Sequence, residues 1–294
     1  MRLLLCTDGT PLSQPALALG ERLARTLQAE TTLLVTSSRA GQSATPPAAV
    51  TDVCARLTDA GLRCTVLSRP EIPRRAIIAQ AAQAPYDLVV VGLLERGRLR
   101  RWLRGSSVRR VLQSVHTPVL IIPADRPTLR RILLCSSDLW YPLETIQLVG
   151  QLAQATDAEV TLLYVIPQPT LHYPVLREVE DAWGALLQTD TPQGRNLRAG
   201  RDALRALGVE TSISLRHGSV AEQVMQEIRE GEYDLVALGS TYAVESLRRR
   251  FVRSITDMVV EQAGRPVLVV RHRKEGEGGR GGEGETESNV KRQT

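Results

Sequence analysis

Short apolar runs alternate along the chain with longer stretches in which apolar residues recur at three- and four-residue spacing. In the first half the runs Arg2–Thr7, Thr31–Thr36, Leu62–Leu67, Tyr86–Gly92 and Pro118–Ile122 read as β-strands. Most are continuously apolar, as expected of strands covered on both faces. Between them, Ala16, Leu19, Leu23, Ala24 and Leu27 form one helical stripe, and Val108, Val111, Leu112 and Val115 form another. Such alternation predicts right-handed β-α-β units and a doubly wound, mostly parallel sheet.

The pattern then repeats. Leu3-Leu4-Leu5-Cys6-Thr7-Asp8 matches Ile132-Leu133-Leu134-Cys135-Ser136-Ser137, and Thr32-Leu33-Leu34 matches Thr161-Leu162-Leu163, both at an offset of 129. Tyr86-Asp87-Leu88-Val89 matches Tyr233-Asp234-Leu235-Val236 at 147, and Pro118-Val119-Leu120 matches Pro266-Val267-Leu268 at 148. Four blocks in one order mark an internal duplication. The fold class expected is therefore α/β: two tandem doubly wound, mostly parallel five-stranded sheets, divided as 1–126 and 127–272.

Strands of the second copy are expected at Arg131–Cys135, Glu159–Val165, Val209–Leu215, Tyr233–Gly239 and Pro266–Val270. Ser219-Val220-Ala221-Glu222 reads as a capping box opening its third helix. The growth in offset places an insertion at Pro167 to Asn196, read as a longer helix with a loop in preference to a lid. Residues 273–294 are rich in Gly and Glu without periodicity and read as a disordered tail.

Composition narrows the chemistry. The longest apolar run, Leu88 to Leu94, is far short of a membrane span, and the N-terminus does not read as a signal peptide, so a cytoplasmic protein is expected. Cys6, Cys54, Cys64 and Cys135 contain no CxxC pair and suggest reduced thiols. The four histidines lie far apart, and no metal site is expected. Lysine occurs only at Lys274 and Lys291, which removes lysine-based phosphate binding and Schiff-base chemistry from the folded body. Every cation there is arginine, a bidentate phosphate ligand. A net charge of +5 and 3% aromatic residues argue against nucleic acid as a partner.

In an open α/β sheet, ligands bind beyond the carboxyl ends of the strands where strand order switches. Three segments of the first copy fall there: Asp8-Gly9-Thr10, the stretch from Gly92 to Glu95, and Gly105-Ser106-Ser107 at the start of the last helix. Glycines admit close backbone approach, a helix N-terminus offers N–H donors to an anion, and Asp8 can accept hydrogen bonds from a ribose.

Those residues resemble the universal stress proteins, specifically their tandem-domain members, whose fold is adenine nucleotide alpha hydrolase-like. ATP-binding members carry G-x2-G-x9-G-(S/T) after the fourth strand and an aspartate after the first. Here the string is Gly92-x2-Glu95-x9-Gly105-Ser106, with glutamate in place of the second glycine, and Asp8 stands at the aspartate position. The resemblance implies an adenine nucleotide ligand, ATP or a relative, with Mg accompanying it. It implies a binding set of Asp8, Gly9, Thr36, Gly92, Gly105, Ser106 and Ser107, Thr36 lying where the family approaches adenine. It also implies side-by-side pairing of the two copies through their last strands, an intrachain pseudo-dimer; association into homodimers stays open.

The second copy departs further. Gly239 is kept, but Tyr242 and Arg253 stand where glycines would, and Ser137 replaces the aspartate. Arg109 in the first copy corresponds to Asp257 in the second, so the first copy is the better anion site. Seven arginines crowd between Glu95 and Arg110, and Arg248, Arg249, Arg250 and Arg253 echo them; a solvated face and a phosphate-closing loop both account for this. No nucleophile–base grouping or GxSxG elbow is present, so no catalytic residue is expected. Three readings remain: a nucleotide-binding regulatory protein of the stress response, a scaffold that has lost nucleotide binding, and, behind these, a weak ATPase.

Overall fold

The computed structural model describes residues 1–36, 46–92, 106–123, 129–135, 143–166, 188, 190–241 and 255–272. Ten strands form a single sheet in the order β3-β2-β1-β4-β5-β10-β9-β6-β7-β8. They are β1 Arg2–Thr7, β2 Glu30–Thr36, β3 Cys64–Arg69, β4 Leu88–Gly92, β5 Val119–Ile122, β6 Arg131–Cys135, β7 Glu159–Ile166, β8 Thr211–His217, β9 Leu235–Thr241 and β10 Val267–His272. Among the described residues the helices are α1 Gln14–Thr26, α2 Ala48–Asp59, α3 Pro73–Gln83, α4 Ser106–Ser114, α5 Leu143–Thr156, α6 Pro192–Ala206, α7 Val220–Glu230 and α8 Ile255–Gln262. Of the expected insertion, 167–196, residues 167–187 and 189 lie outside the described residues, as does the tail, and the insertion's last residues open α6 at Pro192.

Every strand pair is parallel except β5 with β10. That antiparallel pair sets Leu120 opposite Leu268, with Val119 facing Val269 and Ile121 facing Val267. Leu120 and Leu268 are equivalent positions of the repeat, so a local two-fold relates the copies at this point. Each copy has the order 3-2-1-4-5 or its equivalent, and the order of strand addition reverses between β1 and β4, and between β6 and β9.

Burial explains the continuous apolar runs. Leu3 and Leu5 face one core with α1, α2, α5 and α6, whereas Leu4 and Cys6 face a second core with α3, α4, α7 and α8. A strand alternates its side chains between faces, so a sheet covered on both sides needs apolar residues at consecutive positions. Each core runs through both copies.

The third strand of each copy begins two residues later than the sequence pattern suggests. Leu62 and Val209 belong to the preceding helix ends. Gly61 and Gly208 adopt φ of +78° and +75°, and the N–H of Leu62 donates to the Leu57 carbonyl at 2.9 Å. Val209 does the same to Leu204 at 3.1 Å. These are Schellman closures, in which the apolar residue after the glycine packs back on its helix. The capping box also needs correction: Ser219 is the N-cap of α7, but its side chain makes no cap hydrogen bond. Glu222 still places a carboxylate in the first turn, favourable to the helix dipole.

Candidate functional site at the carboxyl edge

At the carboxyl end of β1 the chain turns sharply. Gly9 has φ +73°, a left-handed conformation that costs glycine nothing. Its N–H donates to Thr7 Oγ1 at 3.0 Å, and Asp8 Oδ1 accepts from the Thr10 N–H at 3.0 Å and Thr10 Oγ1 at 2.7 Å. The Thr7 and Ser13 hydroxyls lie 2.6 Å apart, and Ser13 Oγ donates to the Thr10 carbonyl. A short 3₁₀ turn, Pro11–Ser13, then leads into α1. The Asp8 carboxylate is thereby oriented by its own loop, at a partly exposed position on the ligand edge.

β4 ends beside this loop, since Cys6 of β1 pairs with Val91. Gly92 is buried there. A Cβ on it would lie 2.8 Å from the Ala16 Cβ and 3.1 Å from the Ser13 Cα. Its lack of a side chain is what lets the turn before α1 seat against β4. Thr36 is 1% exposed and its hydroxyl donates to the Thr7 carbonyl at 3.2 Å, so its side chain braces the ends of β1 and β2. Ser106 and Ser107 are the first two residues of α4. Gly105, Glu95 and the arginines from Arg96 to Arg104 lie outside the described residues, as do Ser137, Tyr242 and Arg253.

On the far side of the loop is α2. Pro47 precedes that helix, and its Cγ would lie 2.5 Å from a Cβ placed on Gly9. Among the described residues no group of three His, Cys, Asp or Glu side chains converges as a metal site. Among the described residues the edge therefore offers the oriented Asp8 carboxylate, a glycine turn and a helix N-terminus. That set suits a polar small molecule bound mainly by backbone and hydroxyl groups.

The repeated Tyr-Asp pair has a structural role in both copies. Asp87 Oδ2 accepts from the Arg2 N–H at 2.7 Å, and Asp234 Oδ2 accepts from the N–H groups of Arg130 and Arg131 at 2.9 and 3.1 Å. Each aspartate thus secures the start of the neighbouring strand. The Arg2 guanidinium lies over the Tyr86 ring, as Arg131 does over Tyr233.

A second conserved arrangement escapes sequence comparison because its members differ in charge. In the first copy Arg69 donates to Gln80 Oε1 at 3.3 Å, and Gln80 Nε2 donates to the Tyr86 hydroxyl at 2.9 Å. In the second, Arg216 donates to Glu227 and Glu230, and the Tyr233 hydroxyl donates to Glu227 Oε1 at 2.6 Å. All of these positions are related by the same offset of 147: Arg69 with Arg216, Gln80 with Glu227, Tyr86 with Tyr233. Burial, reinforced by the Glu227 carboxylate, pushes the Tyr233 hydroxyl up to about 12.

The reduced-thiol expectation fails for one pair. Cys54 of α2 and Cys64 at the start of β3 are joined as a disulfide, with Cα atoms 5.5 Å apart. Helix and strand are brought together by the Schellman turn, which no spacing rule for cysteine pairs anticipates. Cys6 and Cys135 are free and buried at equivalent strand positions, and burial pushes both thiols far above their ordinary value. Packing accounts for them.

Comparison with known proteins agrees with this architecture. The sequence profile of the universal stress protein family matches residues 1–123 and again 128–271. Among solved structures, a universal stress protein from Archaeoglobus fulgidus DSM 4304 aligns over 92% of this chain and 98% of its own, at 16% identity and a TM-score of 0.59. A protein from Pseudomonas aeruginosa UCBPP-PA14 named after the same family aligns over 92% of each chain, at 18% identity and a TM-score of 0.67. A functionally unknown protein from Pseudomonas aeruginosa PAO1 gives 17% identity and 0.65 over the same share of both chains. No curated protein matches. Two consecutive family matches, one for each half of a single ten-stranded sheet, establish that this chain belongs to the universal stress protein family.

Proposed function

We propose that the chain binds an adenine nucleotide, ATP foremost, at the carboxyl edge of its first copy, and that occupancy serves as a regulatory signal in a cytoplasmic stress response. The observation that carries this reading is the meeting of Asp8-Gly9-Thr10, the end of β4 at Gly92 and the β1/β4 switch point on one edge. The oriented Asp8 carboxylate suits a ribose hydroxyl. Gly105, Ser106 and Ser107 would receive phosphate at the N-terminus of α4. Mg²⁺ would be held mostly by the phosphates, since among the described residues no group of three His, Cys, Asp or Glu side chains converges. Among the described residues no helix is long and apolar enough to cross a membrane. Each copy forms one unit, the first ending near 126, and a further pairing of whole chains is compatible with the reading.

A second reading is favoured by a specific observation. Thr36 is committed to the Thr7 carbonyl, and Asp8 Oδ1 to Thr10, so two of the expected contacts already serve the fold. On that basis the family site persists as a structural relic in a scaffold protein. Calorimetric titration of ATP and AMP, with magnesium, into protein stripped of co-purified ligand separates the two. Micromolar binding near one per chain, lost in Gly105→Val with the fold intact, supports the nucleotide reading. Absence of binding up to millimolar ligand makes the scaffold reading the correct one.

A further inference from the structure

We propose that Cys54 and Cys64 form a redox-exchangeable pair that sets how firmly α2 is held beside the Asp8 loop. Four observations carry this. First, the two residues lie on different elements of the first copy, at half-buried positions on the rim of the first core. β3 is the edge strand of the ten-stranded sheet, with a sheet neighbour on one side only. A cystine there is open to thiol attack in a way that the fully buried Cys6 and Cys135 are not.

Second, α2 connects the cystine to the candidate ligand edge. Pro47, next to its first turn, sits against Gly9, and Cys54 lies two turns further along the same helix. Third, the rest of α2 does not depend on the bond. Val50, Val53 and Leu57 are buried, and Arg56 makes a two-pronged ion pair with Glu21 of α1 at 2.8 and 2.7 Å. Reduction therefore leaves the helix folded while freeing the turn at 60–63 and the first residues of β3.

Fourth, the second copy fastens the same place without sulfur. By the 147 offset, Arg201 and Thr211 replace Cys54 and Cys64. There Arg205 donates to the Thr211 carbonyl at 3.0 Å, a tie that no oxidant or reductant touches. Only the copy with the better ligand edge carries the exchangeable bond.

The chemistry balances with an external thiol couple. Oxidation joins the two sulfur atoms and releases two protons and two electrons. A low-molecular-weight disulfide accepts them through a mixed disulfide and leaves as two thiols; reduction by a dithiol runs the reverse. In a cytoplasm such bonds form transiently and report the redox state. The proposal draws on the cytoplasmic reading above for its reductant, and on nothing about nucleotide.

The test uses the full chain. After equilibration with oxidised glutathione, unfolding in the presence of an alkylating reagent is expected to label two thiols, Cys6 and Cys135. After dithiothreitol it is expected to label four. Native-state hydrogen exchange is expected to quicken about tenfold on reduction for amides in 58–66, and less strongly at Val50 and Thr51, whose N–H groups donate to the Pro47 carbonyl, with β6 to β8 unchanged. C54S/C64S is expected to show the reduced pattern in either buffer; the wild-type comparison stands alone if that variant does not fold. Four labels after oxidised glutathione, two labels after dithiothreitol, or equal exchange in both states would each overturn the proposal. None of these readouts involves nucleotide, so failure of the binding reading is distinguishable from failure of this one.

Discussion

Glu227 is the most informative single position in the fold, because the first copy already contains the experiment at Gln80. Its carboxylate is 6% exposed and receives hydrogen bonds from Arg216 and from the Tyr233 hydroxyl. In Glu227→Ala, Tyr233 loses its acceptor in a buried position and Arg216 retains only Glu230. Breaking a buried ion pair costs about 3–5 kcal/mol when the survivor is stranded. Glu230 still engages Arg216, whose side chain is partly exposed, so about 2–3 kcal/mol is the better figure here. Glu227→Gln is a different perturbation. The amide can accept from Arg216 through its oxygen and donate to the Tyr233 hydroxyl through its nitrogen, as Gln80 does with Arg69 and Tyr86. Only charge assistance is lost, at a cost of about 1 kcal/mol. At about 2–4 °C per kcal/mol, Tm should fall by about 4–12 °C for the alanine variant and about 2–4 °C for the glutamine variant. Thermal and urea unfolding followed by far-ultraviolet circular dichroism measure both. Equal damage from the two substitutions would refute the equivalence of the networks.

Other consequences are open to measurement. The Tyr233 hydroxyl is raised from 10 to about 12, so the folded state favours its neutral form. That contribution is fully present below pH 10 and lost as pH rises through 12, and in Glu227→Gln the tyrosinate absorbance of this residue should appear at lower pH. Gly92→Ala places a Cβ 2.8 Å from Ala16 and 3.1 Å from the Ser13 backbone, and should cost about 1–3 kcal/mol in urea unfolding whether or not nucleotide binds. A fully stable variant would show that the turn before α1 can move away. Arg109 and Asp257 are equivalent positions of the repeat, yet they pair across the junction of the copies at 3.5 Å. A double-mutant cycle with Arg109→Asp and Asp257→Arg should give a coupling of about 0.2–1 kcal/mol, with the double reversal recovering most of the loss. Zero coupling would mean that the local two-fold draws nothing from this pair.

The duplication, the α/β class and all ten strands were legible in the sequence, because strands covered on both faces must be apolar at consecutive positions and the repeat displays that need twice. Asp8, Gly9 and Gly92 could be placed on one edge beforehand, since a parallel sheet puts its switch-point loops together. The strands start after Leu62 and Val209, because an apolar residue after a left-handed glycine closes a helix and begins no ladder; Gly61 and Gly208 are the local sign of it, which apolar periodicity alone passes over. Pairing of the halves through their last strands was already implied by the family resemblance. Tertiary structure alone decided three finer matters: it set the antiparallel register of Leu120 opposite Leu268, put Gln80 and Glu227 in equivalent networks despite their different charge, and bonded Cys54 to Cys64. Each depends on distance in space between residues on separate elements, and periodicity along a chain reports only which face a residue occupies, never what it meets there.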